Sequence, residues 1–183
     1  MKSVLWRRLD QPGQEACRIA QTSGGWEMRG AVAMSEGGVP GALSYRALFD
    51  PDWRALGCEV LGWQEGREIA LTLDRDPEGR WRRDGTLFST GAERPDLDLG
   101  FSPCTNLSTI RRLGLAEGEM QVLDVLWLDI DDWQVKPLRQ SYHRSGALSY
   151  VYGSPDHGFT AELTLDGEGM LRRYGELWAV VDL

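Results

Sequence analysis

A chain of 183 residues that is 42% hydrophobic and 26% charged has an ordinary globular composition, long enough to bury a core and far from the disordered or membrane classes. Its net charge of -8 argues against a basic face of the kind that displaces counterions from a phosphate backbone, so nucleic acid is not an expected partner. Residues 1–10 contain no apolar run long enough for a signal segment, and nothing later approaches a membrane span. The expectation is a cytoplasmic protein that does not span a membrane.

Glycine and proline break the chain at 11–13, 24–25, 36–38, 50–52, 65–66, 77–79, 84–85, 117–118, 145–146 and 166–167. Breaks about every ten residues are the spacing of an all-β sandwich, roll or barrel with little helix. Between them apolar residues alternate. Leu43, Tyr45, Ala47 and Phe49 share one strand face, as do Leu148, Tyr150 and Tyr152. Residues 106–113 form the best helix candidate, with Asn106 or Ser108 as a capping side chain. The apolar stretch 120–129 suits a helix by length, and we read it as a strand.

Residues 71–87 and 163–177 resemble each other, with two extra residues in the first turn. Leu43-Ser44-Tyr45 before Pro51-Asp52-Trp53, and Leu148-Ser149-Tyr150 before Pro155-Asp156, repeat the punctuation upstream. Four blocks in one order predict an internal duplication: a single domain, 1–183, built from two related β halves with repeat units at about 43–87 and 148–177.

Candidate chemistry is sparse. Asp74, Asp76 and Glu78 before Gly79 look like the front of a calcium loop, but Gly85 stands where a bidentate glutamate is needed, so a hairpin turn explains them better and no metal is expected. Cys17, Cys58 and Cys104 are odd in number and outside any C-x-x-C spacing, which fits inert thiols. The carboxylates of 96–99 and 129–132 can be imagined pairing for acid-base work, yet alternating Asp and Leu at 96–99 also describes a half-buried strand. No nucleophile elbow or phosphate loop occurs, so neither an enzyme nor a cofactor is expected. Parity groups Trp81, Arg83 and Leu87, and likewise Leu171, Arg173 and Leu177. It predicts that Arg83 and Arg173 meet a carboxylate or solvent at a sheet rim.

The segment Ser102-Pro103-Cys104-Thr105-Asn106-Leu107-Ser108-Thr109-Ile110-Arg111-Arg112-Leu113 resembles the bacterial putative glycolipid-binding family. That family carries proline-phenylalanine-threonine-asparagine and then proline-isoleucine-arginine-arginine-leucine there. Similarity extends to Trp6-Arg7, 25–30, Tyr45, Asp52-Trp53, 96–98, 140–142, 166–169 and Tyr174. Cys104 and Thr109 depart from the pattern. The resemblance implies a spiral β-roll, or incomplete antiparallel barrel, of duplicated halves. It carries no catalytic residue set.

Two function classes follow. One is non-enzymatic binding of an amphipathic, glycolipid-like molecule in an apolar pocket of the roll; the other is a structural or interaction module with a filled core. Asn106, Arg111, Arg112, Tyr142 and Trp53 are the candidate ligand-binding residues. Paired arginines offer bidentate donors to phosphate or sugar oxygens, and aromatic rings stack on sugar faces.

Overall fold

The alternation at 43–49 is the signature of a one-sided strand: Leu43, Tyr45, Ala47 and Phe49 are buried while Ser44 and Arg46 are exposed. The structure, a computed structural model, describes residues 1–88 and 96–182. It forms two compact units, Met1–Ser89 with Val181–Leu183, and Thr90–Val180. The architecture is all-β with little helix, as the break spacing implies.

The first unit is an antiparallel meander. Strands β1 (Lys2–Arg8), β2 (Gly13–Thr22), β3 (Gly25–Glu36), β4 (Val39–Phe49), β5 (Ala55–Gln64), β6 (Arg67–Arg75), β7 (Trp81–Arg83) and β8 (Thr86–Phe88) each pair with the next. Trp6, Met28, Phe49, Val60 and Trp81 fill its interior. Gly30 is required by a close approach, because a Cβ there would meet the ring of Tyr45 on the neighbouring strand at 2.3 Å. The Tyr45 hydroxyl donates to the buried Glu15 carboxylate. Burial pushes the Cys58 thiol up to about 12, which suits an inert core cysteine.

The second unit contains β9 (Asp96–Leu99), α1 (Cys104–Leu113), β10 (Met120–Leu128), β11 (Val135–Gly146), β12 (Ser149–Ser154), a 3-10 turn (Pro155–His157), β13 (Phe159–Leu165), β14 (Leu171–Tyr174) and β15 (Trp178–Val180). From β10 onward the strands again form an antiparallel meander. Strand β9 lies parallel to β10, and α1 lies on the connection between them. The stretch 120–129 is a strand because it pairs with β11 over nine positions, Met120 to Leu128. Among the described residues no helix is long and apolar enough to cross a membrane.

Three sequence expectations shift. Helix α1 begins two residues earlier than expected, with Pro103 at its N-cap, so Asn106 and Ser108 lie inside the helix and do not cap it. There Ser108 Oγ bonds back to Thr105 O at 2.7 Å. The grouping of Leu87 with Trp81 fails, because the turn at Asp84–Gly85 reverses the chain: Leu87 lies opposite Arg82, and Trp81 opposite Phe88. The grouping of Leu171 with Arg173 fails as well, since a bulge sets Leu171 opposite Leu165 and Arg173 opposite Thr164. Arg83 and Arg173 nonetheless meet surface carboxylates, Asp84 at 3.5 Å and Glu176 at 2.7 Å.

The third shift concerns the turns. Asp76 N–H donates to Arg80 O at 2.9 Å and Gly79 N–H to Asp76 O at 2.9 Å, while Asp166 and Met170 with Gly169 and Asp166 make the same two bonds at 2.8 and 2.9 Å. The organising acid of the first hairpin is therefore Asp76 and not Asp74, and the two turns are equal in length. Asp50 with Arg54 and Trp53 repeats the pattern at 2.9 and 3.0 Å. Each turn needs a left-handed residue at its fourth place, supplied by Gly79, Gly169 and, at φ 66°, Trp53. In all three an aspartate oxygen accepts a backbone N–H, so Asp76 of the calcium-like run serves turn closure.

Asp166 Oδ1 accepts from the Glu168 and Met170 amides, both at 2.9 Å. Asp166→Ala is expected to lose about 1–2 kcal/mol of stability, and Asp166→Asn, which keeps the acceptor, well under half of that. Urea denaturation of the two variants checks it.

Candidate functional site

Strand alternation in the second unit builds one concave site. Leu138, Gln140 and Tyr142 share a face of β11, and Tyr142 lies opposite Tyr152 on β12, so Tyr152 and Ser154 join that face. The register continues it outward: Val125 opposite Leu138 on one side and Asp96 on the other, Trp127 opposite Asp98. Of these, Asp98, Trp127, Leu138, Tyr152 and Ser154 line a solvent-open cleft of about 220 Å³. Asp98, Asn106, Tyr152 and Ser154 form its polar end, and Trp127, Leu138, Phe159 and Trp178 its apolar wall. Gly100 stands beside the Trp127 indole, where a Cβ would come within 2.6 Å of Nε1.

The polar end is a continuous hydrogen-bonded cluster. Gln140 Nε2 donates to Asp98 Oδ2 at 2.5 Å, and Thr105 Oγ1 to Asp98 Oδ1 at 3.4 Å. Tyr142 donates to Asn106 Oδ1 at 2.9 Å, with Gln140 Oε1 at 3.2 Å. Tyr142 and Tyr152 meet edge to face at 5.3 Å, and Tyr152 and Tyr174 at 5.6 Å. The Tyr152 hydroxyl reaches Tyr174 and Gln140. Ser154 Oγ lies beside Tyr152 but off hydrogen-bond geometry, so this buried hydroxyl has no full partner.

Burial dominates the electrostatics. Asp98 keeps some exposure through the cleft mouth, but protein surrounds it elsewhere. That enclosure pushes its carboxyl up to about 6 against the opposing hydrogen bonds from Gln140 and Thr105. The hydroxyls of Tyr142, Tyr152 and Tyr174 are raised, chiefly by burial, and stay neutral. Among the residues lining the cleft, Asp98 and His157 carry metal-ligating side chains, short of the three or four that a zinc site uses.

The structure brings two of the five sequence candidates together here: Asn106 lines the cleft and Tyr142 bonds to it from behind. Arg112 points elsewhere, its Nε and Nη2 holding the buried Asp96 in a fork at 2.6 and 2.7 Å. Arg111 Nη2 donates to Gly169 O at 3.2 Å, tying α1 to the β13–β14 turn, and burial lowers its pKa despite the nearby Asp166. Trp53 belongs to the first unit, where it stacks on Trp26 at 4.5 Å. Sequence reading set aside Asp98, and it passed over Gln140, Tyr152 and Ser154. The available signal was parity: Gln140 and Tyr142, like Tyr152 and Ser154, are two apart on strands whose apolar faces they interrupt.

Arg112→Ala leaves Asp96 buried without a counter-charge, and a loss of about 3–5 kcal/mol is expected in chemical denaturation. Because the folded state holds the Asp98 proton more tightly than the unfolded chain, the associated stability is full below pH 3.8 and is lost as pH rises through about 6. Asp98→Asn should flatten that fall, by at most about 3 kcal/mol. Carbon-detected NMR titration of Asp98 gives the midpoint; one near 4 refutes the assignment.

Comparison with solved structures finds a crystal structure described as that of a DUF1089 family protein from Pseudomonas aeruginosa. It is 29% identical, covers 90% of each chain and superposes with a TM-score of 0.78. No curated protein matches the chain. A family model described as "Putative glycolipid-binding" matches residues 3–179, and the chain belongs to that family.

Proposed function

We propose that the protein binds an amphipathic, glycolipid-like molecule without transforming it, and that the cleft of the second unit receives the ligand's polar end. The observation that carries this is the meeting of a buried polar cluster, centred on Asp98, with an aromatic wall in one solvent-open cleft. At about 220 Å³ the cleft falls below the roughly 300–1,000 Å³ of sites that enclose a drug-sized molecule. It suits one ring or a short chain, with the remaining apolar portion held outside it. Binding without chemistry is supported by the lining, in which Asp98 is the one carboxylate among the described residues, since glycosidic hydrolysis ordinarily uses a pair. Membership of a family described as "Putative glycolipid-binding" points the same way.

The filled-core alternative has its own support: Trp6, Trp81 and Trp133 are fully buried packing residues. Octyl glucoside, titrated below its micelle-forming concentration while the indole N–H signals are followed by NMR, separates the two. Shifts are expected at Trp127 and Trp178. Shifts confined to Trp53 and Trp26 would move the site to the first unit, and no shift at any tryptophan would favour the module without a ligand.

A further inference from the structure

The charges around the cleft go further than the shape. This step rests on the reading that the cleft receives a polar head. From the arrangement of its polar groups we infer that the head is uncharged and hydroxyl-bearing, and that phosphate- or carboxylate-bearing heads are excluded.

The first argument is that, among the described residues, the cations near the cleft are already engaged. Arg112 is bound in a fork to Asp96. Lys136, 5.8 Å from the Trp127 ring, is held by Asp129 at 2.6 Å and Asp132 at 2.8 Å. Arg111 is committed to the Gly169 carbonyl. Among the cleft's lining residues, Asp98 supplies the negative charge and His157, on the 3-10 turn, is the one imidazole. An anionic head would lie against the Asp98 carboxylate with little to offset the repulsion, in surroundings that screen poorly.

The second argument is the hydrogen-bonding character of the polar end. A carboxylate only accepts, so a ligand facing Asp98 must donate. Ser154, 4% exposed, presents a hydroxyl without a full partner in the same cleft, able to donate or accept. Asn106 and Tyr152 line the same end. A sugar or polyol hydroxyl matches this set because it donates to one group while accepting from another; a fully ionised phosphate only accepts. The Trp127 ring, edge to face with His157 at 5.5 Å, adds an apolar wall suited to the C–H face of a ring.

Protonation refines the expectation. Asp98 is faced by Thr105 and Asn106 from α1, by Gln140 and Tyr142 from β11, by Tyr152 from β12 and by Tyr174 from β14. Asp96, on its own strand, is neutralised by Arg112. A ligand that donates to the carboxylate binds the deprotonated form, so its affinity should fall as the pH drops through about 6.

The test compares octyl glucoside, octyl phosphate and octanol, each below its micelle-forming concentration. Calorimetry and indole N–H shifts are recorded on the full chain at about pH 7.5 and about pH 5. The glucoside is expected to bind at least about tenfold more tightly than the phosphate at the higher pH. Asp98→Asn should reduce that preference to about threefold or less, and Ser154→Ala should weaken the glucoside severalfold while leaving octanol unchanged. Ser154→Ala removes only a hydroxyl that lacks a full partner, so it keeps the test open should Asp98→Asn fold poorly. Phosphate binding at the cleft as tight as the glucoside, or a preference unchanged in Asp98→Asn, overturns the selectivity and leaves the binding reading standing. Failure of all three compounds to shift Trp127 or Trp178 overturns the reading that this cleft receives the ligand, and this inference with it.

Discussion

The second unit depends on what happens to the two carboxylates of β9. Asp96, Leu97 and Leu99 are buried, so both parities of this strand are covered and its acids cannot rely on water. Each is answered differently. Asp96 receives a full counter-charge from Arg112, in the last turn of α1. Asp98 receives only neutral donors, Gln140 and Thr105, and it opens on the cleft. One pair fastens the helix to the strand; the other leaves a carboxylate whose charge is incompletely satisfied. A cleft lined by such a group is suited to a ligand that brings donors of its own.

Helix α1 follows from the same constraint. Seven of its ten residues, Cys104 to Ile110, are buried, including Thr105, Asn106, Ser108 and Thr109. Buried polar residues must find partners, and here they find them in three ways. Thr105 Oγ1 accepts from the Leu99 amide at 3.1 Å, Ser108 bonds back to the helix carbonyl of Thr105, and Asn106 accepts from Tyr142. The family-specific segment is thus an anchoring device along most of its length, and Ser102 and Asn106 within it also line the cleft. The arginine pair that drew attention in the sequence serves attachment: Arg111 to a turn, Arg112 to a strand.

Much of the architecture was legible from local chemistry. Frequent Gly and Pro breaks, period-two alternation and the brief helix at 106–113 all reflect the backbone's few options, and these act over a handful of residues. The reading of 120–129 as a strand held because its apolar residues pair along β11, a contact that length and composition cannot reveal. Turn chemistry was legible only in part. The calcium-like spacing at 74–79 turned out to be one of three turns of the same type, closed by Asp50, Asp76 and Asp166. Choosing Asp74 over Asp76 placed two extra residues in a turn that has none. Parity failed at Leu87 for a related reason, since alternation holds only while a strand continues in one direction.

By itself, the sequence determined the β class, the helix to within two residues, the strand face at 43–49, the shared face of Tyr150 and Tyr152 but not of Leu148, which is exposed in the turn before β12, and the family. These depend on periodicity and on motifs that are contiguous in the chain. Tertiary structure decided which polar residues face a cleft. Asp98, Tyr152 and Ser154, with Gln140 hydrogen-bonded to Asp98, come from three strands spread over 57 positions of the numbering, and register brings them together. It also decided that Arg111 and Arg112 are spent on Gly169 and Asp96. The physical reason is that a side chain's partners are set by strand pairing and burial, and a sequence motif states only which donors and acceptors are available to be paired.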